Sequence, residues 1–264
     1  MDLNCDLGES DDRARIAADM ALLRMATSAN IACGGHAGSP ESMIRTAKAA
    51  AAREVCIGAH PGYADRANFG RVSAQMTPRE VEEMVYGQLS LMAKAARRAW
   101  ATMSHVKPHG ALYHDAMTNA AIAEAIARAT ARVKENLVLV GLAGSPALAL
   151  WAKMGFRVGA EAFADRRYES DGTLRSRAHT DSMIANPVEA GLQAVTIALR
   201  GRVETVGGRA VEVHADTICV HGDTPDAPAV MYAVRDALQN AGIPIAGWER
   251  RPPRRVVMDA KVTL

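Results

Sequence analysis

Residues 137–162 read LVLVGLAGSPALALWAKMGFRVGAEA, and their punctuation decides the fold. Leu137–Leu142 is a short run of Val and Leu, the length of a buried strand. Ser145-Pro146 then supplies a capping hydroxyl followed by a proline at the first helical position. An Ala- and Leu-rich segment continues to Met154, and Gly155 stops it. From Phe156 to Ala162 a second short run resumes. Strand, helix and strand joined by short connections form a βαβ unit, whose two strands run parallel.

The same alternation extends in both directions. Strands are expected near 1–5, 28–33, 54–60, 103–107, 137–142, 156–162 and 216–221. Helices are expected near 12–26, 40–53, 78–101, 119–135, 146–154, 187–200 and 227–241. Thr77-Pro78-Arg79-Glu80 and Asn186-Pro187-Val188-Glu189 mark two starts, Ser39-Pro40-Glu41 a third, and Gly201 and Gly242 mark stops. About seven repeats predict an α/β protein built on a parallel sheet. One interruption, Val203–Val206, Gly207-Gly208 and Arg209–Val213, reads as a β-hairpin inserted before the last strand. No Pro-, Gly- or Ser-rich linker divides the chain, so 1–264 is expected to be one domain. The basic stretch Arg250-Arg251-Pro252-Pro253-Arg254-Arg255 reads as a solvated tail or a strap.

Composition narrows the function classes. The 264 residues include 52 alanines within a hydrophobic fraction of 49%, and only 4% are aromatic, which favours helices over an all-β sandwich. A net charge of +2 gives no electrostatic footprint for nucleic acid. Cys5, Cys33, Cys56 and Cys219 lack a metal or redox spacing and read as reduced thiols. The start Met-Asp-Leu-Asn-Cys-Asp is not a signal sequence, and no apolar run is long enough for a membrane span. A cytoplasmic protein without membrane partners is expected.

The ionisable residues gather where the strands end. The first strand offers Asn4, Asp6 and Glu9, the second His36, the third His60 and Tyr63. The fourth gives Lys107, His109, Tyr113 and His114, the sixth Glu161, Asp165 and Arg166, and the last His221 and Asp223. In parallel α/β barrels the C-terminal strand ends and their loops build the active site. Five of the eight histidines fall in these clusters, which points to an enzyme. The plainer readings are a histidine bonding a loop carbonyl, Asp6 capping the first helix, and arginines in solvated ion pairs. Lys107 in an apolar setting resists such a reading, because burying it is costly unless it is paired or functional. Asp6, His36 and His60 also make an N/O set for a divalent cation of unspecified identity. Arg166, Arg167, Arg175 and Arg177 follow the sixth strand, while Arg66 and Arg71 follow the third; arginine suits carboxylates and phosphates. Neither a P-loop nor a dinucleotide fingerprint is present.

Six blocks in order carry a resemblance. They are Asp2-Leu-Asn4-Cys-Asp6-Leu-Gly-Glu9, Asn30-Ile-Ala-Cys-Gly-Gly-His36-Ala-Gly, and Ile57-Gly-Ala-His60-Pro-Gly-Tyr63. Val106-Lys107-Pro-His109-Gly-Ala-Leu-Tyr113, Glu161-Ala-Phe-Ala-Asp165-Arg166 and Asp216-Thr-Ile-Cys-Val-His221-Gly-Asp223 complete the set. Over residues 1 to about 245 the chain resembles the LamB/YcsF family. It departs at Gly35 and Ser39, where members often carry Phe and Asp, and at Asn68-Phe69-Gly70-Arg71-Val72, where they carry Gly-Phe-Gly-Arg-Arg.

The resemblance implies a distorted seven-stranded barrel of the glycoside hydrolase/deacetylase type. It also implies ATP-dependent hydrolytic opening of 5-oxo-L-proline to L-glutamate, carried out with companion subunits B and C. Opening a stabilised lactam calls for a base, an acid for the ring nitrogen and cations for phosphoryl charge. Asp6 or Glu9 is expected as base, with His36 and His60 orienting water or a metal. Lys107 and Arg166 are expected to stabilise negative charge, and His109 or His221 to protonate nitrogen. Asn4, Tyr63, Arg71, Tyr113, Glu161, Asp165 and Asp223 are expected to bind substrate or phosphate. ATP is expected either on the partner subunits or at the arginine loop. The alternative is a metal-dependent amide or carbohydrate deacetylase that works without ATP.

Overall fold

The computed structural model describes residues 1–133 and 136–248. The basic stretch 250–255 lies outside them, as do the last two positions of the helix expected over 119–135. In chain order the strands are β1 (Asp2–Leu7), β2 (Ser28–Ala32), β3 (Cys56–His60), β4 (Met103–Val106), β5 (Val138–Leu142) and β6 (Arg157–Phe163). A short pair, β7 (Arg202–Glu204) and β8 (Ala210–Glu212), precedes β9 (Thr217–Cys219). All except β7 and β8 pair in parallel and close into a seven-stranded barrel, with β9 between β6 and β1. The ladder is irregular between β3 and β4, where the register shifts between Ile57 and Gly58. The expected hairpin is the antiparallel β7–β8 pair.

The helices are α1 (Arg13–Leu22), α2 (Pro40–Ala51), α3 (Pro78–Arg98), α4 (Gly110–Thr118), α5 (Ala120–Val133), α6 (Pro146–Lys153), α7 (Pro187–Arg200) and α8 (Ala227–Asn240). Ser39, Thr77, Ser145 and Asn186 cap α2, α3, α6 and α7 through their side chains, each followed by proline. Gly201 closes α7 in the left-handed region at φ 59°. Three expectations need correction. The first helix ends at Leu22 rather than 26 and is capped by Asp12, so Asp6 has no capping role. The first strand runs through Asp6 to Leu7, and the last spans only three residues. The sequence reading missed α4 because its cap position, His109, makes no side-chain capping bond and glycine opens it.

The strand β1 explains where the core sits. Leu3, Cys5 and Leu7 pack outward into the apolar layer beneath the helices, while Asp2, Asn4 and Asp6 alternate with them toward the barrel axis. Most barrels of this kind fill the axis with branched apolar side chains. Here it carries a hydrogen-bonded polar column. Asp2 accepts from Thr27, Ser28 and Thr217, Thr217 accepts from Asn4 at 2.7 Å, and Asn30 donates to Asn4 at 2.7 Å. Burying so many polar groups is tolerable only because each finds partners. Trp248 closes the opposite end of the barrel, packed with Val138 and Val140. Among the described residues no helix is long and apolar enough to cross a membrane.

Candidate active site

The polar column ends at the mouth in a buried ion cluster. Lys107 leaves the end of β4 and reaches across the barrel, its Nζ donating to Asp6 Oδ1 at 2.9 Å and lying 2.8 Å from Glu161 Oε1. Asn4 Oδ1 and Cys219 Sγ stand at 3.4 and 3.3 Å. Asn30 donates to the same Asp6 oxygen at 2.8 Å, Asn4 donates to Glu161 Oε1 at 3.0 Å, and the Tyr113 hydroxyl donates to Glu161 Oε2 at 2.9 Å. Burial alone would discharge these groups. The Asp6 and Glu161 carboxylates outweigh it and raise the Lys107 ammonium well above its usual range. Likewise, against burial, His60 and Lys107 hold the Asp6 carboxyl well below the carboxylate range.

Beside this cluster three histidines converge on Glu9. His60 Nδ1–H donates to the Lys107 carbonyl at 2.7 Å, and His109 Nε2–H donates to the Phe69 carbonyl at 2.8 Å. Carbonyls only accept, so both tautomers are fixed. The other nitrogens, His60 Nε2 and His109 Nδ1, therefore face each other with lone pairs at 3.0 Å. That edge requires a shared proton or a cation. Two ligands on a tetrahedral ion with bonds of about 2.05 Å sit about 3.3 Å apart, close to what is seen. Glu9 Oε1 lies 3.7 Å from His109 Nδ1, and Asp6 Oδ2 lies 3.4 Å from His60 Nε2.

His36 stacks on His109 at 3.6 Å between centroids, and its Nε2 reaches Glu9 Oε1 at 3.2 Å. Its buried Nδ1 has no hydrogen-bond partner. A ligating histidine normally donates its second N–H to an acceptor. His60 and His109 meet that requirement and His36 does not. Glu9, His36, His60 and His109 bring one donor atom each within 4.8 Å of one another, so His109 joins the His36 and His60 of the sequence reading, and of the three histidines His60 and His109 have the second nitrogen anchored. Burial, with the Asp6 charge, pushes the Glu9 carboxyl up to about 7.

Across the mouth, Asp165 organises His221. The buried carboxylate accepts the His221 backbone N–H at 2.8 Å and the Thr224 hydroxyl, and its two oxygens lie 3.0 and 3.1 Å from His221 Nδ1. Nδ1 therefore carries the proton toward Asp165, and Nε2 is left for the cavity. Phe163 stacks on this ring at 5.1 Å. Asp223 gathers Arg71 at 2.5 Å and Arg177 at 2.8 Å. The whole surrounds a cavity of about 490 Å³, the size of a small-molecule site.

Asp6, Glu9, His60, Lys107, His109, Arg71, Tyr113, Arg166, His221 and Asp223 line this cavity. Asn4 and Glu161 lie beneath Lys107, Asp165 stands behind His221, and His36 stands behind His109. Tyr63 does not line the cavity. Its hydroxyl donates to Asp115 at 2.7 Å, an acceptor it shares with Ser73, and so ties the loop after β3 to α4. Sequence reasoning missed His105, Gln88 and Thr224. His105 Nε2 bonds Asn30 Oδ1 at 2.8 Å, and Gln88 of α3 pairs with both the N–H and the carbonyl of Gly62. Only His105 was findable, as a buried histidine two positions before Lys107 with the same strand parity.

The turn that carries Glu9 is held by Asp19, which accepts the Gly8 N–H at 2.9 Å. Burial pushes the Asp19 carboxyl up to about 6. The folded chain thus holds this proton more tightly than the unfolded chain, whose Asp titrates near 3.9. Its contribution is full below about pH 4 and is lost as the pH rises through about 6. Asp19→Asn is expected to raise the unfolding temperature at pH 7.5 by a few degrees, about 1 kcal/mol, and to change little at pH 4. Thermal melts at both values check this.

The LamB/YcsF family model matches residues 1–252. The chain belongs to the LamB/YcsF family. Among LamB/YcsF-type relatives, it is 45% identical over 251 residues to the A subunit of a 5-oxoprolinase from Methylococcus capsulatus, covering 94% of this chain and 96% of that one. It is 46% identical over 245 residues to the corresponding subunit from Chloroflexus aggregans, covering 93% and 97%. The solved lactam utilization protein from Thermus thermophilus superposes with a TM-score of 0.87 at 39% identity, covering 94% of this chain and 99% of that one. The closed seven-stranded parallel barrel that the LamB/YcsF resemblance implies is the fold observed.

Proposed function

We propose that this chain is the A subunit of an ATP-dependent 5-oxoprolinase, opening 5-oxo-L-proline to L-glutamate with companion subunits B and C. Its relatives' names support the reaction and the multi-subunit setting. The observation that carries the chemistry is the buried Lys107, held by Asp6 and Glu161 at the floor of a cavity with His221 across from it.

Phosphoryl transfer from ATP to the lactam oxygen makes C5 electrophilic. Water adds to C5 and loses its proton to Glu9, the carboxyl poised near neutrality. The Lys107 ammonium stabilises the negative charge of the phosphoryl group on the former lactam oxygen. Nε2 of His221, steadied by Asp165, delivers a proton to the ring nitrogen as the C5–N bond breaks. A second water hydrolyses the acyl phosphate, giving glutamate, ADP and phosphate. ATP sits on the partner subunits or against the arginine loop, and the assembled enzyme distinguishes the two.

A divalent cation held by His60 and His109 would polarise the water or the carbonyl, with Glu9 beside it as the base. Protein purified without chelators is expected to carry roughly one equivalent of a divalent metal, lost in a His60→Ala/His109→Ala double variant that still folds. Elemental analysis reads it, and a metal-free parent chain contradicts the site. The same facing nitrogens favour the second reading, a metal-dependent deacetylase, which differs in requiring neither ATP nor partners.

In the cell, deleting the gene for this chain is expected to cause 5-oxoproline to accumulate. Complementation by the parent, but not by Asp6→Asn, supports the reading. Unchanged 5-oxoproline in the deletion strain would sink it.

A further inference from the structure

The loop after β6 carries four arginines, and three of them have a carboxylate. Arg167 pairs with Glu189, Arg175 with Glu169 and Asp181, and Arg177 with Asp223, each at 2.8 Å. The fourth, Arg166, is the most deeply buried, with 4% of its surface exposed. Among the described residues no carboxylate lies within ion-pair distance of it. Its Nε donates to the Ser182 carbonyl at 3.4 Å and its Nη2 to the Arg175 carbonyl at 2.6 Å. The neighbouring Asp165 is committed to His221 and Thr224.

Neutral carbonyls orient this guanidinium, and Asp165 and Asp223 act on it only from beyond ion-pair distance, so its charge is incompletely balanced where burial is costly. Burial and the nearby Arg177 push this guanidinium down to about 10. Arg166 lines the same cavity as Lys107 and His221. At the Lys107 end the ammonium is already paired with Asp6 and Glu161, and Glu9 adds a further carboxyl to the lining. An anionic ligand is therefore sorted toward Arg166, while its neutral amide is left for the Lys107 end.

We propose that Arg166 recognises the exocyclic carboxylate of the cyclic amide, so that the site selects five-membered lactams carrying a carboxylate beside the ring nitrogen over the unsubstituted lactam. The proposal rests on the lactam-opening reading above and names its specificity residue. A phosphoryl group offers the same oxyanion chemistry, and the experiment separates the two.

Binding of 5-oxo-L-proline, 2-pyrrolidinone and inorganic phosphate is measured by calorimetry on the full chain and on folded Arg166→Gln and Arg166→Lys. The KM for each lactam is measured in the assembled enzyme. The parent is expected to favour 5-oxoproline over 2-pyrrolidinone by about 10- to 100-fold, the range for a hydrogen bond to a charged group. Arg166→Gln is expected to collapse that ratio, raising KM for 5-oxoproline far more than it lowers kcat. Arg166→Lys is expected to restore part of it, since a point charge replaces a fork. Should Arg166→Gln fail to fold, the parent and the lysine variant carry the comparison. Where the isolated chain binds neither lactam, the KM ratio decides. Equal affinity of the parent for the two lactams overturns the proposal, as does full discrimination in Arg166→Gln or phosphate competing as strongly as 5-oxoproline. A parent complex that shows the Arg166-dependent preference yet releases no glutamate refutes the activity reading and leaves the recognition role standing.

Discussion

Replacing Lys107 with Met is expected to lower glutamate release by the assembled enzyme by at least about 10³-fold, beyond the loss of a single oxyanion donor. The reason lies in what the ammonium holds. It is 3% exposed and touches Asp6 Oδ1 and Glu161 Oε1 at 2.9 and 2.8 Å, on the two strands that flank β9. Without it two buried carboxylates face each other uncompensated, at a cost of about 3–5 kcal/mol. One of them then takes up a proton, and on Asp6 that proton removes the charge facing His60. Activity is therefore measured on the folded fraction, verified by circular dichroism. Glu161→Gln serves as the control, since it keeps the cation and the Asp6 contact and is expected to retain far more turnover. Folded Lys107→Met working within about tenfold of the parent would remove Lys107 from the chemistry.

The second large effect belongs to Gly58. A Cβ there would stand 2.0 Å from His105 Nε2 and 2.2 Å from its Cδ2. The ring cannot step aside freely, because Nε2–H donates to Asn30 Oδ1 and Nδ1 pairs with the Ser104 hydroxyl, both at 2.8 Å. Burial pushes this imidazole down to about 3, so it is neutral and the tautomer is fixed by those partners. Gly58→Ala is expected to destabilise the chain by about 3 kcal/mol or more, at the top of the overpacking range. Because Asn30 in turn orients Asp6, the folded remainder is expected to lose turnover as well. Denaturant unfolding together with activity per folded molecule measures both. A drop below about 1 kcal/mol would mean that the ring has room after all.

How much of this was legible in the sequence differs by element. The helix starts at Ser39, Thr77, Ser145 and Asn186 were, because a capping side chain followed by proline acts locally. The helix α4 was not, since His109 spends its side chain on the site rather than on the cap. The strand ends correctly gathered Asp6, His60, Lys107 and His221 around one cavity. Spacing could not tell lining residues from their supports. His36 and His109 both sit beside glycines, and only the bonds to the Phe69 and Lys107 carbonyls distinguish the anchored His109 and His60 from His36. Tyr63 reads like a ligand-facing residue, yet its partner Asp115 lies 52 positions away. The polar axis was hidden by the same mixture of periods. In β1 the alternation of Asp2, Asn4 and Asp6 with Leu3, Cys5 and Leu7 resembles a half-exposed strand, although both faces are buried.

The most direct measurement is glutamate release from 5-oxo-L-proline, with and without ATP, by this chain alone and mixed with candidate B and C subunits. Release only in the mixture and only with ATP is the predicted result. No release from any mixture in which the three subunits are shown to associate would contradict the account.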